Sequence, residues 1–73
     1  KKIVVPRDLA EALKKNPRAA AVFRGFSYTN KKEYVSWITE AKTPETRKRR
    51  LETAVEWMSE GKIRNWKYER RSA

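Results

Sequence analysis

Lys42-Thr43-Pro44-Glu45-Thr46-Arg47 is the stretch on which the reading of the fold turns. Thr43 offers a hydroxyl to an orphan backbone N–H, and Pro44 suits the first helical position, where its missing N–H costs nothing. Glu45 complements the positive end of the helix dipole. A helix is therefore expected to start here. Downstream, Leu51, Ala54, Val55 and Met58 form one apolar stripe, and Gly61 is placed to end the helix after about Glu60. At 1.5 Å per residue such a helix is roughly 25 Å long.

Upstream, Tyr34, Trp37, Ile38 and Ala41 repeat at i, i+3, i+4, i+7, with Ser27 and Thr29 both candidate caps for that helix. Before it, Pro17 opens a shorter helix carrying Ala19, Ala20 and Phe23, which is expected to stop at Gly25 as a left-handed cap. Pro6 is expected as the first residue of the N-terminal helix, with Leu9, Ala12 and Leu13 on its buried face. Asn16-Pro17 ends that helix, because a proline pushes the residue before it out of the helical region. No convincing alternating strand pattern appears apart from the short Ile3-Val4-Val5 run. The fold class predicted is all-α: a compact bundle of about four short helices over residues 1–62, followed by a basic, aromatic tail at 63–73.

Composition narrows the chemistry. The 73 residues hold 19 Lys and Arg against 9 Asp and Glu, a formal net charge of +10, with no cysteine and no histidine. Without cysteine there is neither a disulfide nor a thiolate metal site, and without histidine the commonest general base and metal ligand is missing. Ser36, Ser59 and Ser72 have no histidine to activate them. The expectation is a non-enzymatic chain with no metal and no cofactor. A field of this sign attracts an acidic protein, another anionic surface or nucleic acid. No segment approaches the roughly 18 apolar residues of a membrane span. The N-terminus lacks the apolar run and cleavage site of a signal peptide, so the compartment expected is the cytoplasm. The absence of an initial Met suggests a processed chain or an excerpt.

The two helices on either side of the Thr43 cap also carry a recognisable pattern. Tyr34-Val35-Ser36-Trp37-Ile38-Thr39-Glu40-Ala41-Lys42, followed by Thr46-Arg47-Lys48-Arg49-Arg50, resembles the YdeI/OmpD-associated, or bacteriocin-protection, family. Val5-Pro6-Arg7-Asp8-Leu9, Ala12-Leu13, Phe23, Ser27 and Glu60-Gly61-Lys62 fit the same resemblance, which spans roughly residues 4 to 62. The sequence departs from the family pattern at Gly25-Phe26 and after Lys62. The resemblance implies a protective role for a helical unit and assigns no catalytic residues.

Several constellations invite a functional reading, each beside a plainer one. Arg47 falls within the Leu51–Ala54–Met58 stripe, so its guanidinium should be partly buried and paired. It is expected, with Thr43, to form a structural clamp across the Lys42–Pro44 turn, taking Glu33, Glu40 or helix-end carbonyls as partners; the other reading is an anion clamp for a ligand. Lys42, Lys48, Arg49 and Arg50 form a basic knob at a helix N-terminus, a candidate site for a phosphate or carboxylate, or else a solvated face. In the tail, Lys62, Arg64, Trp66, Lys67, Tyr68, Arg70 and Arg71 mix cations with aromatic rings, which suits stacking on single-stranded nucleic acid or a membrane interface. The plainer reading, slightly preferred, has Ile63, Trp66 and Tyr68 folding back onto the bundle. Trp37 is expected nearer the core than Trp57. Glu52 and Glu56 read as surface salt-bridge partners.

The function expected is a basic binding module of bacteriocin-protection type that meets an anionic or acidic partner. The alternative is a nucleic-acid-binding domain using residues 29–60 as a helix-turn-helix-like pair together with the tail. Against it, the turn lacks the glycine often found in such motifs. A third possibility is a regulatory appendage to an enzyme domain.

Overall fold

The computed structural model describes residues 3–66, in which four helices follow one another: α1 (Arg7–Lys14), α2 (Pro17–Gly25), α3 (Tyr28–Thr39) and α4 (Pro44–Ser59). No strand occurs among the described residues. Each helix buries one pair of residues spaced i, i+4: Leu9 and Leu13, Ala19 and Phe23, Tyr34 and Ile38, Ala54 and Met58. Four such pairs make the core, because residues four apart share one face of a helix. Val5, Ala20, Phe26, Val35, Trp37, Leu51, Val55 and Trp57 pack around it, half-buried. Helix α4 is central and touches all three others, most extensively α2. Both of these helices contribute a fully buried alanine, Ala19 and Ala54, where a small side chain lets two helices approach closely.

Local chemistry sets the helix boundaries. The Thr43 hydroxyl accepts the Thr46 N–H at 3.1 Å and caps α4, with Pro44 at the first helical position. Asn16 caps α2 in the same manner through the Ala19 N–H at 3.1 Å. Of the two hydroxyls offered for α3, Ser27 is the cap, accepting the Asn30 N–H at 3.2 Å, and Thr29 lies inside the helix. At the far end of α4, Gly61 takes φ +81°. Its N–H donates to Met58 O at 2.9 Å and the Lys62 N–H donates to Trp57 O at 2.9 Å, the paired bonds of a Schellman motif.

Three boundary expectations need correction. Pro6 stands one residue before α1, since its ψ of 152° is extended, and α1 begins at Arg7. Gly25 ends α2 as expected but not in a left-handed conformation, for Gly61 is the one described glycine with positive φ. Phe26 instead turns the chain with extended geometry, φ −70° and ψ 152°. Ala41 falls beyond the end of α3, because Glu40 is already its C-cap, and it is half-buried in the turn.

Candidate functional site

The α3–α4 turn and the residues just beyond α4 hold most of the side chains singled out in the sequence. Lys42, Lys48 and Arg49 are exposed there, and none has an ion-pair or hydrogen-bond partner among the described residues. The backbone of this helix end is less open than the knob reading requires. Pro44 has no N–H, and the Thr46 N–H is taken by the Thr43 hydroxyl, which itself donates to Thr46 Oγ1 at 3.0 Å. Glu45 adds a negative charge in the first turn. An external anion would therefore meet the three side chains and little of the helix end.

Arg50 faces inward. Its Nη1 donates to Trp37 O at 2.8 Å, and its guanidinium lies 5.5 Å from the Trp37 ring centroid. It thus fastens the last turn of α3 to α4 by the carbonyl contact that had been expected of Arg47. Arg47 reaches the other way. Its Nε donates to Asp8 Oδ2 at 2.8 Å and its Nη2 to Asp8 Oδ1 at 3.2 Å, a two-pronged pair that ties α4 to α1. The clamp exists, but it does not cross the Lys42–Pro44 turn and uses neither Glu33 nor Glu40. The hydrogen bond from Arg47 holds the Asp8 carboxyl below its ordinary range, and Asp8 in turn raises Arg47. Asp8 as the partner of Arg47 was missed in the sequence, where it stood only as an acid in the first turn of α1 and as part of the family-like Val5–Leu9 stretch.

A second assembly surrounds the tryptophans. Trp37 and Trp57 stack at 5.5 Å with their planes 6° apart, and Trp66 meets Trp57 edge-on at 5.7 Å. The Arg64 guanidinium sits 4.4 Å from the Trp37 centroid, and the Lys62 ammonium sits 4.1 Å from that of Trp66 while pairing with Glu60 at 2.7 Å. Fully buried Tyr34 donates its hydroxyl to Lys62 O at 2.6 Å. Burial pushes this phenol well above its usual range, with Arg64 pulling weakly the other way. Lys62, Arg64 and Trp66, offered as partner-binding residues, are thus engaged with the bundle itself. The fold-back of Ile63 and Trp66 is seen, both being half-buried. Lys67, Tyr68, Arg70 and Arg71 lie outside the described residues.

Other charged side chains depart from expectation. Glu52 and Glu56 are exposed on α4 and form no ion pair among the described residues; besides Lys62–Glu60, the exposed pair found is Arg7 with Glu11 on α1, at 3.9 Å. Arg18, to which no role had been given, donates from Nε to Ser59 O and joins α2 to the end of α4. Gly25-Phe26, the departure from the family pattern, puts the Phe26 ring in a stack with Tyr34 at 5.9 Å. Among the described residues no cluster of three acidic, histidine or cysteine side chains is arranged to hold a metal ion. No helix there is long and apolar enough to cross a membrane.

Comparison with known proteins places these features. No curated protein matches the chain, and neither does any solved structure. A family model described as Bacteriocin-protection, YdeI or OmpD-Associated matches residues 2–61, from before α1 to the glycine that closes α4. That span takes in all four helices, the Asp8–Arg47 pair and the Thr43 cap, and stops short of Arg64 and Trp66. The chain belongs to the bacteriocin-protection, YdeI or OmpD-associated family.

Proposed function

We propose that this chain is a non-catalytic binding module of the cytoplasm, acting on an acidic protein or another anionic surface through Lys42, Lys48 and Arg49. The observation that carries the reading is the exposure of these three cations around one turn, with no carboxylate paired to them among the described residues. The net charge of +10 supplies long-range attraction to such a partner, and the absence of histidine and cysteine supports a role without catalysis. Arg50, Lys62 and Arg64 contribute to the positive field while holding the fold together.

A helix-turn-helix reading of residues 29–60 has less support. The solvent-facing residues of α4 include Glu45, Glu52 and Glu56 beside Lys48 and Arg49, and carboxylates along a recognition helix repel phosphate.

Poly-L-glutamate and duplex and single-stranded DNA, each titrated over a salt series, test the proposal. Poly-L-glutamate should bind, with affinity falling as salt rises, and the K42A/K48A/R49A variant should lose about tenfold. An unchanged affinity in that variant refutes the site. DNA binding that is tight near physiological salt, with a steep log–log slope, refutes the choice of partner.

A further inference from the structure

On the opposite flank of α1 from the Asp8–Arg47 pair runs a groove of about 380 Å³ between α1 and α2. Its floor is apolar, made by Val5, Leu13, Ala20 and Phe23, and its charged lining residues are Lys14 and Arg24. No carboxylate among the described residues lines it. Both cations are exposed, stand in the last turns of α1 and α2, and have no ion-pair partner among the described residues. Next to Val5, at the start of the groove, Val4 is 85% exposed, the largest exposure among the big hydrophobic residues described. A third cation, Lys31, lies 5.8 Å from the centroid of the Phe23 ring.

We infer that this groove docks an acidic amphipathic helix of a partner protein, seating a few apolar side chains on the floor and its carboxylates on Lys14 and Arg24. Two features favour that occupant. The floor lies in the trough between two helices, a shape that receives the ridge of side chains along a third. Its charge is of one sign, so it selects acidic over basic segments by repulsion as well as attraction. The volume is at the small end of the roughly 300–1,000 Å³ of ligand pockets, which suits two or three anchoring side chains rather than an enclosed ligand. The groove on the other flank of α1 contrasts with it, since Asp8, Glu11 and Glu52 line that one beside Lys15. The inference concerns a different face from the Lys42–Lys48–Arg49 turn and does not depend on it.

The test uses a fluorescent synthetic peptide of about 14 residues, with Leu at i, i+3, i+4, i+7 and Glu at most other positions, titrated into the full chain. Its controls are a Leu/Lys version, poly-L-glutamate, and phosphatidylglycerol vesicles. The Leu/Glu peptide should bind more tightly than poly-L-glutamate and should shift the amide resonances of Leu13 and Ala20. K14E/R24E should weaken it by about tenfold and improve binding of the Leu/Lys peptide, while K42A/K48A/R49A should leave it within about twofold. Ala10 is exposed at the groove edge, so A10Q should obstruct the floor and weaken the same peptide without altering charge. Equal affinity for poly-L-glutamate and the Leu/Glu peptide would overturn the groove and leave the basic turn standing. Sensitivity of vesicle binding, but not peptide binding, to K14E/R24E would overturn it in favour of lipid.

Discussion

Arg47 and Asp8 join helices 39 positions apart in the chain, and each is about a third exposed, 35% and 37%. Solvent at that exposure screens the pair, so its worth is about 0.5–1 kcal/mol in spite of the two-pronged geometry. Arg47→Lys removes the planar fork and should lower the melting temperature by about 4 °C, read by circular dichroism; an unchanged value would remove the clamp. The pH dependence follows from the depressed Asp8 carboxyl. Its contribution is complete above the unfolded-state value near 3.8 and is lost as pH falls through the lower folded-state value. Asp8→Asn should therefore cost more stability at pH 7 than at pH 2, a difference that urea melts at the two pH values can measure. The half-buried position of Arg47 was legible from its place at 100° per residue on the α4 stripe. Its partner was not, because a rotation angle names the face of one helix and says nothing about which neighbour crosses there.

At the level of the element, the two glycines make opposite predictions. Gly61 holds φ +81° to close α4, a conformation that costs a residue with a Cβ about 1–2 kcal/mol. Gly25 is the last residue of α2 with no left-handed angle, and a Cβ added there meets nothing within 4 Å. Gly61→Ala should thus lower the melting temperature by about 4–16 °C, whereas Gly25→Ala should raise it by a few degrees, about 0.4–1 kcal/mol, by restricting the unfolded chain. A loss of stability on Gly25→Ala would mean that the end of α2 is strained after all. The start of α4 was readable because a cap and a proline act within three residues of each other, and that of α2 from Pro17 alone, its Asn16 cap having gone unread. Gly25 misled because a glycine near a helix end marks a turn without specifying its handedness. The extended geometry of Phe26, whose ring is held against Phe23 and Tyr34, turns the chain instead.

Across the whole molecule, cations outnumber acids about two to one, and few of the described ones are paired. Mutual repulsion among Lys14, Lys15, Arg24, Lys42, Lys48 and Arg49 destabilises the compact state, and added salt relieves it. The melting temperature should rise between about 20 and 300 mM NaCl, since the Asp8–Arg47, Arg7–Glu11 and Lys62–Glu60 pairs that salt weakens are few. A fall over that range would show that ion pairing outweighs repulsion. The arrangement of charge also separates what each level of description decides. The amino-acid order alone determined four helices, the Thr43 start and Gly61 close of α4, and the apolar stripes within which the buried pairs fall, because those rest on interactions within one or two turns. Only the packed structure decided that Arg50, Lys62 and Arg64 serve the bundle, that Lys42, Lys48 and Arg49 face water, and that Lys14 and Arg24 flank an apolar groove. Those outcomes depend on how helices cross, and crossing is settled by contacts between residues distant in the chain.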